Sequence, residues 1–263
     1  MTGDRWNSGD DYEPYVGRWS RLVAQTFVEW MDVAPGARWV DVGCGTGAIA
    51  ETALLRAAPL VVSGVDPSEA FVAHASRRLE GRAFEGRVGD AIDLPFGDES
   101  FEVAVTGLVL NFVSDPGRAV AEMRRVVHDL GLVGAYVWDY AGRMEMMRYF
   151  WDAAVSNDPA AAALDEGRRF PICNPRDLRT LFSEGGLEHV EARSIDVPTV
   201  FRDFDDYWTP FLSGQAPAPG YCMSLDDASR ADLRELLRAR LPTQPDGSIR
   251  LIARAWAVRG SRA

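Results

Sequence analysis

Residues 39–50, Trp-Val-Asp-Val-Gly-Cys-Gly-Thr-Gly-Ala-Ile-Ala, carry the glycine spacing in this chain best suited to holding a ligand. An apolar strand breaks there into a turn and opens a helix. Glycines at 43, 45 and 47 remove every Cβ where the backbone turns tightly and let a ligand lie against the main chain. The N–H groups at the start of the following helix favour an anionic group such as a phosphate or carboxylate. The stretch also reads as Gly43-x-Gly45-x-x-Ala48, a tolerated form of the dinucleotide fingerprint. The turn therefore predicts a nucleoside cofactor without choosing between nicotinamide and other kinds.

Three further strand ends supply polar groups in an order that suits an adenosyl group. Leu60-Val61-Val62-Ser63-Gly64-Val65 ends at Asp66, nineteen residues beyond Gly47, where a carboxylate can accept both ribose hydroxyls. Pro67 and Ser68 follow it, with Ser68 the better helix cap. Gly89-Asp90-Ala91 closes a third short strand and offers a carboxylate to an adenine amino group. Phe101 to Thr106 forms a fourth strand, patterned as buried on both faces, and runs into Gly107-Leu108-Val109-Leu110-Asn111-Phe112.

With this order of Asp-x-Gly-x-Gly-x-Gly, then Asp, then Gly-Asp-Ala, residues 35–140 resemble the class I S-adenosylmethionine-dependent methyltransferases that act on small molecules. The N-terminal Tyr-x-x-Tyr-x-Gly-Arg-Trp-Ser stretch shares the likeness more loosely. The resemblance implies that Asp41, Gly43, Cys44, Gly45 and Gly47 hold the methionine part of the cofactor. It assigns Asp66, Pro67 and Ser68 to the ribose side, Asp90 and Ala91 to the adenine, and Thr106, Gly107 and Leu108 to the surroundings of the sulfonium. The side chain of Cys44 itself reads as packing. One departure is His128-Asp129-Leu130-Gly131, where the family carries a Pro-Gly-Gly turn before the fifth strand.

Composition narrows the alternatives. The net charge is −11, and all 28 basic residues are arginine. Without lysine there is no Walker loop, no lysine Schiff base and no Tyr-x-x-x-Lys pair of the short-chain dehydrogenases. The acidic balance weighs against a nucleic-acid partner, and Arg77-Arg78, Arg124-Arg125 and Arg168-Arg169 read as solvated helix faces. Cysteines 44, 173 and 222 have no paired spacing, which predicts neither a disulfide framework nor a metal site. The longest apolar stretch, Val103 to Val113, is too short for a bilayer, and no signal-peptide pattern opens the sequence. The expectation is a cytoplasmic protein with a small-molecule substrate, no nucleic-acid or membrane partner, and an oligomeric state that the sequence leaves open.

Positioning these residues requires an α/β fold. Strands near 39–42, 60–65, 85–89, 101–106 and 132–138 alternate with helices near 46–57, 68–80 and 117–128, and a helix over 18–32 precedes them. That alternation predicts a parallel sheet with helices on both faces and the ligand beyond the carboxyl ends of the strands. A sixth strand near 187–197 and a seventh over Ile249 to Val258 follow, among helices at 175–184, 203–212 and 226–240. The resemblance implies a Rossmann-like seven-stranded sheet whose last, antiparallel strand inserts between the fifth and sixth. The expected organisation is an N-terminal helical lid segment over 1–30, a cofactor-binding core over 31–140, a helical insertion capping the substrate over 141–186, and completion of the sheet over 187–263.

Methyl transfer from a sulfonium is an in-line displacement, in which the protein contributes by aligning nucleophile and methyl and by excluding water. His74, His128 and His189 all lie away from strand carboxyl ends. Asp139 and Tyr140 follow the fifth strand and are the candidates for orienting or deprotonating the acceptor, against a turn carboxylate and a packed tyrosine. Tyr12, Tyr15 and Trp19, with Met146, Met147, Tyr149, Phe150 and Trp151, are candidate lid residues over an apolar or aromatic acceptor. The rival readings are a nicotinamide-dependent oxidoreductase and a protein that keeps S-adenosylmethionine as a sensor or structural ligand.

Overall fold

A computed structural model describes residues 16–214 and 216–263, so Tyr12 and Tyr15 lie outside the described residues. The chain divides into two compact units. The first, a sheet unit, comprises Ser20–Val137, Ile172–Ile195 and Ala255–Ala263. The second comprises, of the described residues, 16–19, Trp138–Pro171 and Asp196–Arg254.

Seven strands, β1 (Arg38–Val42), β2 (Val61–Asp66), β3 (Phe84–Val88), β4 (Phe101–Gly107), β5 (Val127–Trp138), β6 (Leu187–Phe201) and β7 (Ile249–Arg262), form a sheet in the order β3-β2-β1-β4-β5-β7-β6. β1 runs parallel to β2 and β4, β2 to β3 and β4 to β5, and the last strand is antiparallel. The last strand lies between β5 and β6, as the resemblance implies. Trp39, Val40, Val103, Ala104 and Val105 are buried, which is why the central strands read as nearly continuous apolar runs. β3 is the edge strand, and its Glu85 and Arg87 are exposed, as charged residues on an open edge commonly are.

Helix α1 (Arg18–Met31) buries Val23, Phe27 and Met31, a four-residue spacing that forms one apolar stripe. The Phe27 ring meets Tyr136 of β5 edge-on at 5.0 Å. Helices α2 (Ala48–Arg56), α3 (Glu69–Arg78) and α4 (Pro116–Val126) connect successive strands. Asp115 accepts the Arg118 N–H at the start of α4, and Pro116 fits the first turn because its missing N–H costs no helical hydrogen bond.

The second unit contains α5 (Glu145–Asn157), α6 (Glu166–Arg169), α8 (Phe204–Trp208), α9 (Pro217–Ser224) and α10 (Asp227–Arg240), while α7 (Pro175–Glu184) belongs to the sheet unit. Met146, Met147, Phe150 and Trp151 are buried, and Phe150 stacks on Phe211 at 4.4 Å. Tyr207 donates its hydroxyl to the Met146 carbonyl at 2.8 Å. This methionine and aromatic cluster is thus an interior of its own.

Two local expectations are corrected, and one helix forms where none is expected. The helix expected to 128 and the turn at 128–131 give way to a strand that starts at Val127, immediately after α4. The pairing shifts between Phe101↔Val127 and Val103↔Leu132, and Leu130 takes a left-handed φ of 64°, so a bulge absorbs the residues read as a turn. The helix expected over 203–212 is α8 followed by a separate 3-10 turn, Thr209–Leu212, because Pro210 has no N–H to continue the α-helical ladder. Finally, α9 forms over a Pro- and Gly-containing stretch to which the sequence pattern assigns no element, with a proline in its first turn.

Candidate cofactor site

The glycine turn is held from both sides by buried carboxylates. Asp41, 1 % exposed near the end of β1, accepts the Ala50 N–H at 3.1 Å. Ala50 lies in the first turn of α2, whose N-cap is Gly47 without a side chain, so Asp41 satisfies a helix donor that the cap residue cannot. Asp66, at the end of β2, accepts the Gly45 N–H at 3.0 Å through Oδ2 and the Ser68 N–H at 2.9 Å through Oδ1. Each of its oxygens retains a lone pair, because a carboxylate has about four acceptor positions in all. Gly43 and Cys44 donate their N–H groups to the Val65 carbonyl at 2.7 and 3.0 Å, drawing the turn against β2.

Gly43 and Gly45 are required by two different features. Both take left-handed φ values, 71° and 50°. A Cβ at Gly43 would overlap the Val109 side chain, whereas one at Gly45 would meet nothing within 4 Å. The turn is therefore closed by protein at Gly43 and open at Gly45.

Burial dominates the electrostatics. It pushes the Asp41 carboxyl up to about 7, against the pull of the Ala50 N–H and with a further push from the Asp66 charge. The Asp66 carboxyl is raised by burial too, opposed by the Ser68 and Gly45 N–H groups. Burial also raises the Cys44 thiol, which leaves it a packed, protonated group. Ser68 caps α3 by accepting the Phe71 N–H. Asp90 is exposed and accepts the Ile92 N–H at 3.2 Å, with Ala91 buried beside it.

β4 brings a second loop to the turn. Thr106 pairs with Ala135 and Gly107 with Tyr136; Leu108 then turns left-handed with φ 62° and donates its N–H to the Tyr136 carbonyl at 2.8 Å. Among the described residues, the buried Thr106 hydroxyl has no hydrogen-bond partner, and neither does either end of the Asn111 amide. Orphaned buried groups of this kind are rare and costly, and a ligand that exchanges hydrogen bonds with them removes the cost. Asn111 is a site candidate that the sequence reading passed over. Its signal was an amide set in the apolar run Leu108 to Val113.

The sheet unit thus brings together Asp41, Gly43–Gly47, Asp66, Ser68 and Thr106–Leu108. Asp139 and Tyr140 belong to the second unit. Asp139 accepts the Arg143 N–H through Oδ2 at 2.9 Å, and its own carbonyl accepts Gly142 and Met144, which makes it the organiser of its turn. Tyr140 is buried, 5.8 Å from the Phe170 ring, and its carbonyl accepts a hydrogen bond from Arg148, which also forms a two-pronged pair with Asp165. His128 contacts Arg38 and Glu102, near the amino ends of β1 and β4.

The sheet order, the glycine turn and the carboxylates at successive strand ends define a Rossmann-like fold of the class I methyltransferase type. Residues 40–134 match the family model described as a methyltransferase domain. Over 120 residues, 44 % of this chain, it is 35 % identical to the demethylmenaquinone methyltransferase of Desulfitobacterium hafniense. The matched region is 46 % of that relative, and the chain spans less than half the length of the curated relatives it matches. Among solved structures, the phosphoethanolamine N-methyltransferase 2 of Haemonchus contortus, in complex with S-adenosylhomocysteine, superposes with a TM-score of 0.58 at 14 % identity, covering 96 % of this chain and 58 % of that one. The cyclase SpnF superposes with a TM-score of 0.58 at 19 % identity, covering 99 % of this chain and 86 % of that one.

Proposed function

We propose that this chain is an S-adenosylmethionine-dependent methyltransferase acting on a small, apolar or aromatic molecule. The observation that carries the reading is Asp66. Its carboxylate is buried and tied to Gly45 and Ser68, yet it keeps acceptor capacity for two ribose hydroxyls. The flanking residues support the same cofactor: Asp41, Gly43, Cys44, Gly45 and Gly47 for its methionine part, Pro67 and Ser68 beside the ribose, Asp90 and Ala91 for the adenine. Thr106, Gly107 and Leu108 would lie beside the sulfonium. Two buried carboxylates at the turn favour a cationic cofactor over the pyrophosphate of a nicotinamide dinucleotide.

When bound, the cofactor supplies a methyl group on a good leaving group. The chain then needs to align the acceptor and exclude water. Asp139 and Tyr140 are proposed to orient the acceptor or take its proton, and the 141–186 insertion to carry acceptor recognition. Methylation activity of relatives such as the demethylmenaquinone methyltransferase supports an apolar aromatic acceptor. Three free, buried cysteines support a reducing, cytoplasmic setting. None of the described helices is long and apolar enough to cross a membrane.

Cofactor binding without transfer is the second reading, because Asp41, Asp66 and the glycine turn speak to binding alone. Incubation with S-adenosylmethionine and a panel of small aromatic and quinol acceptors separates the two. A mass gain of one methylene equivalent on an acceptor supports transfer, and its absence across the panel with intact cofactor binding supports the second reading.

A further inference from the structure

A cluster of donors without hydrogen-bond partners among the described residues lies in the second unit and includes the lid candidate Trp19. Arg18 and Trp19 open α1, while Thr199 and Phe201 sit two apart on β6, both wholly buried and so on one face of the strand. The Arg18 guanidinium lies over the Trp19 ring at 4.4 Å and over the Phe201 ring at 4.9 Å, and the two rings meet edge-on at 5.5 Å. Its Nη1 donates to Asp206 Oδ1 at 3.3 Å. Its Nε and Nη2 are buried and have no hydrogen-bond partner among the described residues. The same holds for Nε1 of Trp19, 8 % exposed, and for the hydroxyl of Thr199, 0 % exposed.

The unused edge of Arg18 identifies the ligand chemistry. Nε and Nη2 form the side of a guanidinium that grips a carboxylate with two parallel hydrogen bonds. Four other arginines among the described residues use that edge in this way: Arg38 on Glu102, Arg78 on Glu51, Arg125 on Glu122 at 2.8 and 2.7 Å, and Arg254 on Asp196 at 2.7 and 2.8 Å. Among the described residues Arg18 has the same edge unused, against the Trp19 and Phe201 rings, with Thr199 on the Phe201 face of β6. Among the described residues, Arg18 shares its carboxylate partner, Asp206, with Arg202. We propose that Arg18, Trp19 and Thr199 bind the carboxylate of an aromatic acceptor, the Arg18 fork taking both oxygens and the rings of Trp19 and Phe201 packing on its apolar body. That the ligand is the acceptor rests on the methyltransferase reading; the carboxylate site itself does not.

The test uses the full chain, with benzoate as the probe and benzamide as its neutral counterpart, followed at the indole N–H resonance of Trp19. The expected result is saturable movement of that resonance with benzoate and at least tenfold weaker binding of benzamide. Arg18→Lys, which keeps the charge and loses the fork, and Thr199→Val should each weaken benzoate while leaving S-adenosylhomocysteine affinity unchanged by calorimetry. Equal binding of benzoate and benzamide, or benzoate affinity that survives Arg18→Lys, overturns the site. A loss confined to S-adenosylhomocysteine in these variants also overturns it, since the fork would then serve the carboxylate of the cofactor. Failure of the methyltransferase reading shows separately, as absence of S-adenosylhomocysteine binding by the unaltered chain.

Discussion

Asp66 Oδ2 accepts the Gly45 N–H at 3.0 Å, so the end of β2 fixes the backbone of the turn that follows β1. This bond makes Asp66, the proposed ribose acceptor, also a strut of the glycine turn. Asp66→Ala is expected to weaken S-adenosylhomocysteine at least tenfold, since hydrogen bonds to a charged acceptor contribute about 1.5–3 kcal/mol each. Asp66→Asn keeps one carbonyl acceptor and should fall between. Calorimetry on the folded variants checks both, and an unchanged affinity for Asp66→Ala removes the ribose assignment.

Gly43 and Gly45 should respond differently to alanine. Both substitutions force a left-handed alanine, costing about 1–2 kcal/mol. Gly43→Ala also drives a methyl into Val109 and should lower the thermal midpoint further than Gly45→Ala does. At Gly45 the new methyl enters open space, so the larger effect should be on cofactor affinity. Melting curves and calorimetry on the pair would contradict the account if Gly45→Ala were the less stable variant.

The Asp41 carboxyl, pushed up to about 7 by burial, sets a pH dependence of opposite sign to ordinary ion-paired carboxylates. Between about pH 4 and 7 the folded chain holds a proton there that the unfolded chain has lost, so this contribution to stability falls as pH rises. Each pH decade in which the states differ by one proton changes stability by about 1.4 kcal/mol. Glu166, buried against Trp151 and also pushed up to about 7, acts in the same direction. Asp41→Asn keeps an acceptor for the Ala50 N–H and removes the titration. The stability of the wild type relative to this variant should therefore decline from pH 4 to 7, as denaturant titrations at several pH values would show; a flat difference contradicts the assignment.

The carboxyl edge of the sheet was legible in the sequence because the residues there are written by local turn chemistry. Gly43–Gly47, Asp66 and Asp90 each stand where an apolar run stops. The cap that Asp41 places on α2 was not legible, since it joins residues nine apart across the glycine turn. Leu130 carries no turn signature, yet it takes the left-handed bend at the start of β5 because strand pairing begins directly after α4. Helix α9 has no apolar periodicity to announce it, and its prolines fit a helix start only because the first turn needs no N–H donors. The Arg18 cluster depends on β6 folding beside α1, which no spacing along the chain encodes.

Asp139 and Tyr140 are separable by conservative substitution. Asp139→Asn retains an oxygen for the Arg143 N–H and should leave the fold intact, so lost turnover would report on its charge. Tyr140→Phe preserves the contact with the Phe170 ring and removes only the hydroxyl. Each is expected to lower turnover on the acceptor that the panel identifies while leaving cofactor affinity nearly unchanged. Normal turnover in both returns the pair to a turn carboxylate and a packed tyrosine.

The identity of the cofactor is the central claim, and a calorimetric titration of the purified chain tests it most directly. S-adenosylmethionine and S-adenosylhomocysteine are each predicted to bind saturably at micromolar concentration, whereas NAD should give no binding heat under the same conditions. Saturable binding of NAD with no response to either sulfur compound would contradict the account.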